Sequence, residues 1–451
     1  MKRTHDCTIT LLFILFTVPL LSQAEVLITP DNAQINYYGR FDFSNPSAPR
    51  FNWSGSIIEA AFSGNSIGIN LKDGQADYDI EIDGKIDTII RTESNTSKYD
   101  ISSKLSTGNH VIRIMQRSEN HWGVAIFGGF YLADGNQLLA APQKPVRKIE
   151  FIGDSHTVGY GNESSSRTCS STQLRSYTNT NRSFGPIVGK AFHSQYTVLG
   201  WSGRGMVRNF GDAAKKSSDP YPNSYGSTLG TISGNWDFTK WIPDLVVISL
   251  CTNDFSTTPY PDDTMFINGY HKFISSVLSH YSNTSILCVS SHAGRADTCI
   301  KSIVSEENSM GHNKIYYAEY PQNLTANGCD WHPTVADDKL IADTLISVIM
   351  RKIGWDTLNQ TTNAQNHNYT CKKSPFTIKP VDSWNGNFQI EGLSNDRSVD
   401  LEITDIKGRL VSKLITNQNH IVEWNTSGLR SGIYLIGNSY YGWKRAVVKR
   451  S

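Results

Sequence analysis

Ile149-Glu150-Phe151-Ile152-Gly153-Asp154-Ser155 is a short apolar run that stops on a glycine, an acid and a serine. A run of this length bounded by glycine reads as a buried strand. Similar runs recur at 196–199, 245–250, 286–289 and 315–318. Helical patterns lie between them. Met265, Phe266, Tyr270, Phe273, Ile274, Val277, Leu278 and Tyr281 repeat three and four apart, and Leu340, Ile341, Leu345, Ile349 and Ile353 share one face after Pro333. Strands alternating with helices predict a parallel sheet covered on both sides across residues 146–357. In such folds functional side chains stand at the carboxyl ends of the strands, which is where Ser155 falls.

Outside this region the period changes. From 25 to 142 short alternating strands dominate. Examples are Ser66-Ile67-Gly68-Ile69-Asn70-Leu71, Tyr78-Asp79-Ile80-Glu81-Ile82 with the hairpin signal Asp83-Gly84, and His110-Val111-Ile112-Arg113-Ile114. This segment reads as a β-sandwich of jelly-roll type. An Asn-, Thr- and Gln-rich stretch at 358–375 reads as a linker. Residues 376–451 return to short strands, with turns at Ile406-Lys407-Gly408 and Ser431-Gly432. The predicted fold class is therefore multidomain: a jelly roll, a central α/β/α domain with a parallel sheet, and a small C-terminal β-domain.

At the N-terminus, Lys2 and Arg3 precede an apolar run at 11–21 and a small-residue site, Ser22-Gln23-Ala24. This predicts a cleaved export signal at 1–24, since the run is too short to cross a bilayer. No later segment is long and apolar enough, so no membrane span is expected. Lys+Arg 42 against Asp+Glu 41 gives a formal charge of +1, which offers no electrostatic footprint for nucleic acid. A monomer is expected. Loss of Cys7 with the signal leaves six cysteines. Six cysteines allow 15 full pairings, among which the sequence does not choose; Cys251 and Cys288, inside apolar runs, read as small buried hydrophobes, and Cys299 with Cys329 is one candidate bridge.

Four features fall at predicted strand ends. Ser155 follows the first strand, where a helix is expected to start and present its amides to an anion. Gly200-Trp201-Ser202-Gly203-Arg204-Gly205 follows the second, and the Gly203 N–H is a candidate oxyanion donor. Thr252-Asn253-Asp254 ends the third, offering the Asn253 amide. Asp330-Trp331-His332-Pro333 precedes the last helix, with His332 as base and Asp330 as its orienting carboxylate. Each alone is ordinary turn chemistry. Their order and placement assemble a nucleophile, oxyanion donors and a base–carboxylate pair in one α/β unit, the parts an acyl-transfer site requires. Trp331, Trp201 and Tyr160 beside these blocks are candidates for stacking on sugar rings, and Trp122 is a further candidate in the jelly roll.

Gly153-Asp154-Ser155, Gly203, Asn253 and Asp330-x-His332 resemble, in order, the blocks of the SGNH (GDSL-type) hydrolase superfamily. The longer strings through Asn162-Glu163, Ser202-Gly203-Arg204-Gly205 and Gly328-Cys329-Asp330-Trp331-His332-Pro333 are similar to carbohydrate esterase family 2, which joins a jelly roll to an SGNH domain. The resemblance implies hydrolysis of acetyl esters on xylan and related hemicelluloses, so the expected partner is an acetylated plant cell-wall polysaccharide or oligosaccharide. It implies Ser155 as nucleophile and His332 as base, with Asp330 as the orienting group, a role that in this family is sometimes filled by a backbone carbonyl instead. The oxyanion hole would comprise Ser155, Gly203 and Asn253, with no metal or cofactor. Two departures stand out. Cys251 replaces the glycine usual in the third block, and His156 follows the nucleophile where an apolar residue is usual; His156 reads as a bystander lining the site. Leu401-Glu402-Ile403-Thr404-Asp405-Ile406-Lys407-Gly408 and Ser431-Gly432-Ile433-Tyr434-Leu435 resemble a type IX secretion sorting domain, which implies export machinery as a partner. The competing readings are an SGNH lipase or thioesterase, and a carbohydrate-binding protein without catalysis.

Overall fold

The computed structural model describes residues 24–101, 105–120, 123–230, 233–291 and 294–357 of one compact unit. In a second unit it describes 377–380, 388–391, 400–405, 410–415, 421–426, 429, 432–438 and 442–448. The expected signal peptide (all but Ala24), the linker, Cys371, Trp122 and the turns at 406–408 and Ser431 lie outside the described residues.

The five apolar runs form five parallel strands, Arg147–Gly153, Ser194–Gly200, Leu245–Ser249, Ser285–Ser290 and Ile315–Glu319. In space the second strand lies beside the first, followed by the third, fourth and fifth. Side-chain alternation sorts each strand between two cores. Phe151, Val247 and Leu287 pack under helices Phe184–Ala191 and Val335–Lys352. Ile152, Ile248 and Ile286 face helices Asp263–His280 and Arg295–Ser309. Connections diverge to opposite sides between the first and third strands, leaving a crevice at their carboxyl ends.

The jelly-roll segment is two antiparallel five-stranded sheets enclosing Phe51, Phe62, Ile69, Tyr78, Ile112, Phe127 and Phe130. Its Asp83-Gly84 hairpin has both residues at positive φ, 51° and 79°, as a two-residue turn between twisted strands requires. The sandwich shares cores with the parallel sheet. Tyr38, Ile57 and Met115 join one, and Trp53 joins the other. Arg40 of the sandwich is 1% exposed and reaches Glu150 of the first parallel strand at 3.5 Å. Asn181 donates to Asp79 at 2.9 Å across the same boundary.

The second unit holds two antiparallel sheets around Phe388, Ile390, Leu401, Ile403, Trp424, Tyr434 and Ile436. No helix among the described residues is long and apolar enough to cross a membrane.

Two expectations are corrected. Cys329 is bridged to Cys169, not to Cys299, which is a buried free thiol in the Arg295–Ser309 helix. The bridge forms because the 161–170 loop lies over the 328–332 loop: Cys329 N–H donates to Gly161 at 3.2 Å and Asp330 N–H to Arg167 at 2.8 Å. Ser155 does not lead into a helix. A chain of turns follows it, with Thr157 and Val158 N–H on the Asp154 carbonyl, and Gly159 and Gly161 at φ 67° and 57°. At Gly161 a Cβ would sit 2.4 Å from that of Cys329, so only glycine lets these two loops touch.

Candidate active site

Ser155 stands two residues beyond the strand whose last residue, Gly153, pairs with Gly200 on one side and Ser249 on the other. Its Oγ lies 2.7 Å from His332 Nε2. His332 is set by the helix behind it: Thr334 caps Val335–Lys352 through a reciprocal box with Asp337, which fixes where the helix begins. Asp337 also accepts from the N–H groups of Thr325 and Ala326, at 2.8 and 3.1 Å, and so pins the other end of the histidine loop.

His332 Nδ1 lies 2.9 Å from the Cys329 carbonyl and 3.1 Å from that of Asp330. Carbonyls only accept, so Nδ1 carries the proton and Nε2 is left to accept from the Ser155 hydroxyl. This corrects the role expected of Asp330. Its carboxylate accepts from the Tyr160 hydroxyl at 2.9 Å, and the groups that orient His332 are backbone carbonyls. The physical reason is the backbone. Asp330 is left-handed at φ 51°, ψ 39°, which turns its carbonyl toward the imidazole while its side chain goes to Tyr160. Burial pushes the His332 imidazole below its usual range, and the two carbonyls hold it partly up.

The third block is closely tied. Asn253 donates to the Arg204 carbonyl at 2.7 Å, and a longer 3.3 Å contact reaches Asp154. Buried Asp254 accepts from the N–H groups of Met206, Val207 and Arg208 at 2.8, 2.8 and 2.9 Å, which anchors the loop that carries Gly203. Burial raises the Asp154 carboxyl to about 7 and that of Asp254 to about 6. Among the described residues, the N–H groups of Ser155 and Gly203 take no part in backbone hydrogen bonding. Cys251 has φ −172°, outside the left-handed region that favours glycine, and its buried thiol lies 3.2 Å from the Ser291 hydroxyl.

Ser155, Asn253, Asp330, Trp331 and His332 line one cavity of about 450 Å³, together with His156, Phe210, Phe255, Tyr260 and Arg295. Gly203, Trp201 and Tyr160 are not among its walls. Trp201 is 4% exposed and packs edge-on against Trp53, so its face is closed to a sugar, which corrects that expectation. Tyr160 lies 4.3 Å from the His332 ring and supports the base. Trp331 is 67% exposed. His156 stacks on Tyr320 and meets His332 edge-on. Phe210 and Tyr260, exposed at the rim, escaped sequence reading because nothing local separates them from other loop aromatics. Among the described residues, no cluster of three or more His, Cys, Asp or Glu is arranged to hold a metal ion.

Comparison with known proteins matches residues 37–142 to the family Carbohydrate esterase 2 N-terminal and 149–345 to GDSL-like Lipase/Acylhydrolase. Residues 384–441 match the Secretion system C-terminal sorting domain. The chain is 37% identical over 344 residues to a cellulase/esterase of Acetivibrio thermocellus, covering 74% of this chain and 41% of that relative's length. It is 30% identical over 322 residues to an acetylxylan esterase/glucomannan deacetylase of Cellvibrio japonicus, covering 69% of this chain and 88% of the relative. A family two carbohydrate esterase from Clostridium thermocellum, solved with cellohexaose, superposes with TM-score 0.67 at 35% identity, covering 71% of this chain and 99% of that one. A jelly roll fused to a parallel sheet, a serine and a histidine in contact at the crevice, and relatives at these identities place the chain in carbohydrate esterase family 2.

Proposed function

We propose that this chain is an exported serine esterase that removes O-acetyl groups from hemicellulose: acetylated xylan, glucomannan or oligosaccharides derived from them. The observation that carries the reading is the 2.7 Å contact between His332 Nε2 and Ser155 Oγ in a cavity open to a glycan. Ser155 passes its proton to His332 as Oγ attacks the acetyl carbonyl. The imidazolium is held by the carbonyls of Cys329 and Asp330 in place of a carboxylate. The N–H groups of Ser155 and Gly203 receive the oxyanion, and Asn253 joins them by exchanging its long contact with Asp154. Collapse breaks the ester C–O bond, and the sugar oxygen takes the proton back from His332. Water, activated by the same imidazole, then releases acetate. Each oxyanion donor is worth about 3 kcal/mol in the transition state.

Trp331 and the rim aromatics offer faces for sugar rings. The relative solved with cellohexaose and the one described as a deacetylase support a glycan in this cleft. The sorting-domain match, with the expected signal at 1–24, supports export to the cell surface or beyond. The test is acetate release from acetylated xylan and glucomannan by the full chain and by Ser155→Ala. Loss in the variant is expected; acetate release at the wild-type rate would sink the reading.

A further inference from the structure

Cys329, Asp330 and Trp331 form one turn of 3₁₀ character in which Asp330 and Trp331 are both left-handed, at φ 51° and 66°. Left-handed backbone is rare for a side chain as bulky as tryptophan, and two such residues in a row persist only where the surroundings over-determine them. Here one residue supplies much of that determination. Arg167 accepts from Asp330 N–H through its own carbonyl, at 2.8 Å. Its Nε donates to the Ala326 carbonyl at 2.9 Å, and its Nη2 to the Thr325 carbonyl at 3.1 Å. The guanidinium then lies over the Trp331 ring, 3.6 Å from the centroid, within cation–π range. Two residues later Cys169 is bonded to Cys329. Arg167 thus holds the loop at 325, 326, 330 and 331, and the bridge holds it at 329.

We propose that Arg167 is a positioning residue for the base: with the Cys169–Cys329 bridge it locks the turn that aims two carbonyls at Nδ1 of His332. The proposal rests on the reading of Ser155 and His332 as the reacting pair. Arg167 is not among the walls of the cavity, so its effect reaches the reaction through Cys329, Asp330 and Trp331. Arg167→Ala keeps the backbone carbonyl that accepts from Asp330 N–H but removes the side-chain ties to 325, 326 and 331; without those the turn relaxes toward right-handed backbone, the Asp330 carbonyl swings away, and the imidazole loses an acceptor. A reacting group displaced by about 1 Å costs on the order of 100-fold in rate.

The experiment is a pH–rate series on p-nitrophenyl acetate with the full chain, Arg167→Ala, Arg167→Lys and Cys169→Ser. For Arg167→Ala the expected result is a kcat lower by about 100-fold with KM for this small ester unchanged. The acid limb should also move to lower pH, because carbonyl acceptors raise the His332 pKa and their loss lowers it. Of the other groups facing the ring, Tyr160 and His156 against it and the Glu119 carboxylate nearby are untouched by these substitutions; the Asp330 carboxylate moves with its turn, and because its charge raises the His332 pKa its departure shifts the limb the same way. Arg167→Lys, which keeps the cation over Trp331 but not the paired carbonyl contacts, should fall between. A wild-type kcat and acid limb in Arg167→Ala, with weakening only on polysaccharide, would make Arg167 a mere support for a sugar platform and overturn the proposal. Should Arg167→Ala not fold, an unmoved limb in both Arg167→Lys and Cys169→Ser overturns it equally. Ser155→Ala in the same assay tests the underlying reading separately, since its outcome does not involve Arg167.

Discussion

Ser155 and His332 meet across 2.7 Å, yet the two sides of that contact are built in different ways. The serine side is an extension of the sheet. The strand before it is paired on both edges as far as Gly153, and its residues 149–153 are buried. The histidine side is a loop of left-handed residues, tied by the Asp337 carboxylate, by Arg167 and by a disulfide. A ladder spreads positional accuracy over many equivalent bonds, so no single neighbour is decisive. A loop concentrates it in a few ties, each of which a point substitution can remove. Sensitivity to changes outside the cavity should therefore lie mainly on the histidine side.

The comparison vanishes when either reacting atom is removed. Ser155→Ala and His332→Ala should each lower kcat by on the order of 10⁶-fold, and the double variant should be no worse, because the two act as a unit. Single-turnover assays on p-nitrophenyl acetate check this, and additive losses would contradict it. A smaller break is expected at Asn253. Asn253→Ala removes one donor to the oxyanion and should cost about 10²–10³-fold in kcat with KM little changed. A comparable rise in KM instead would assign Asn253 to ground-state binding.

The same division explains what was legible in the sequence. The five buried runs and the two long amphipathic helices announce themselves by periodicity, and with them the strand ends that carry Ser155, Gly203 and Asn253. The helical pattern after Pro333 was legible too, and it set His332 just ahead of the Val335–Lys352 helix; the Thr334–Asp337 cap that fixes the helix start was not read. What failed was on the loop side. Asp330-x-His332 reads as a carboxylate beside a base, but a left-handed φ at Asp330 sends the carboxylate to Tyr160 and the carbonyl to the imidazole. Cys329 found Cys169 across a separation of 160 residues, which no local spacing encodes. Trp201 looked like a cleft residue because it adjoins Gly203, yet it turns into the core against Trp53. Backbone handedness and side-chain direction in loops are decided by tertiary contacts, and short-range sequence does not carry them.

A pH profile sharpens the comparison on the histidine side alone. Burial lowers the His332 pKa from its ordinary 6.5, and the base must be neutral to accept the serine proton. The acid limb of kcat/KM should therefore fall below 6.5, with activity kept at neutral pH and lost only as pH drops through that lower value. A limb above 6.5 would mean that a carboxylate, not two carbonyls, faces the imidazole.

The smallest expected effect is the most discriminating. In a serine–histidine–aspartate triad, changing the aspartate to asparagine lowers kcat by about 10⁴-fold, because the amide can force the imidazole into the wrong tautomer. Here the tautomer is fixed by the Cys329 and Asp330 carbonyls, which a side-chain change does not remove. In Asp330→Asn the new amide oxygen can still accept from the Tyr160 hydroxyl, and asparagine tolerates left-handed backbone as well as aspartate does. What is lost is one negative charge near the imidazole, which helps to hold its pKa up. Asp330→Asn should therefore lose less than about tenfold in kcat, with an acid limb moved slightly to lower pH. Steady-state kinetics across pH measure both. A loss approaching 10⁴-fold would restore the carboxylate to the role that the backbone now holds.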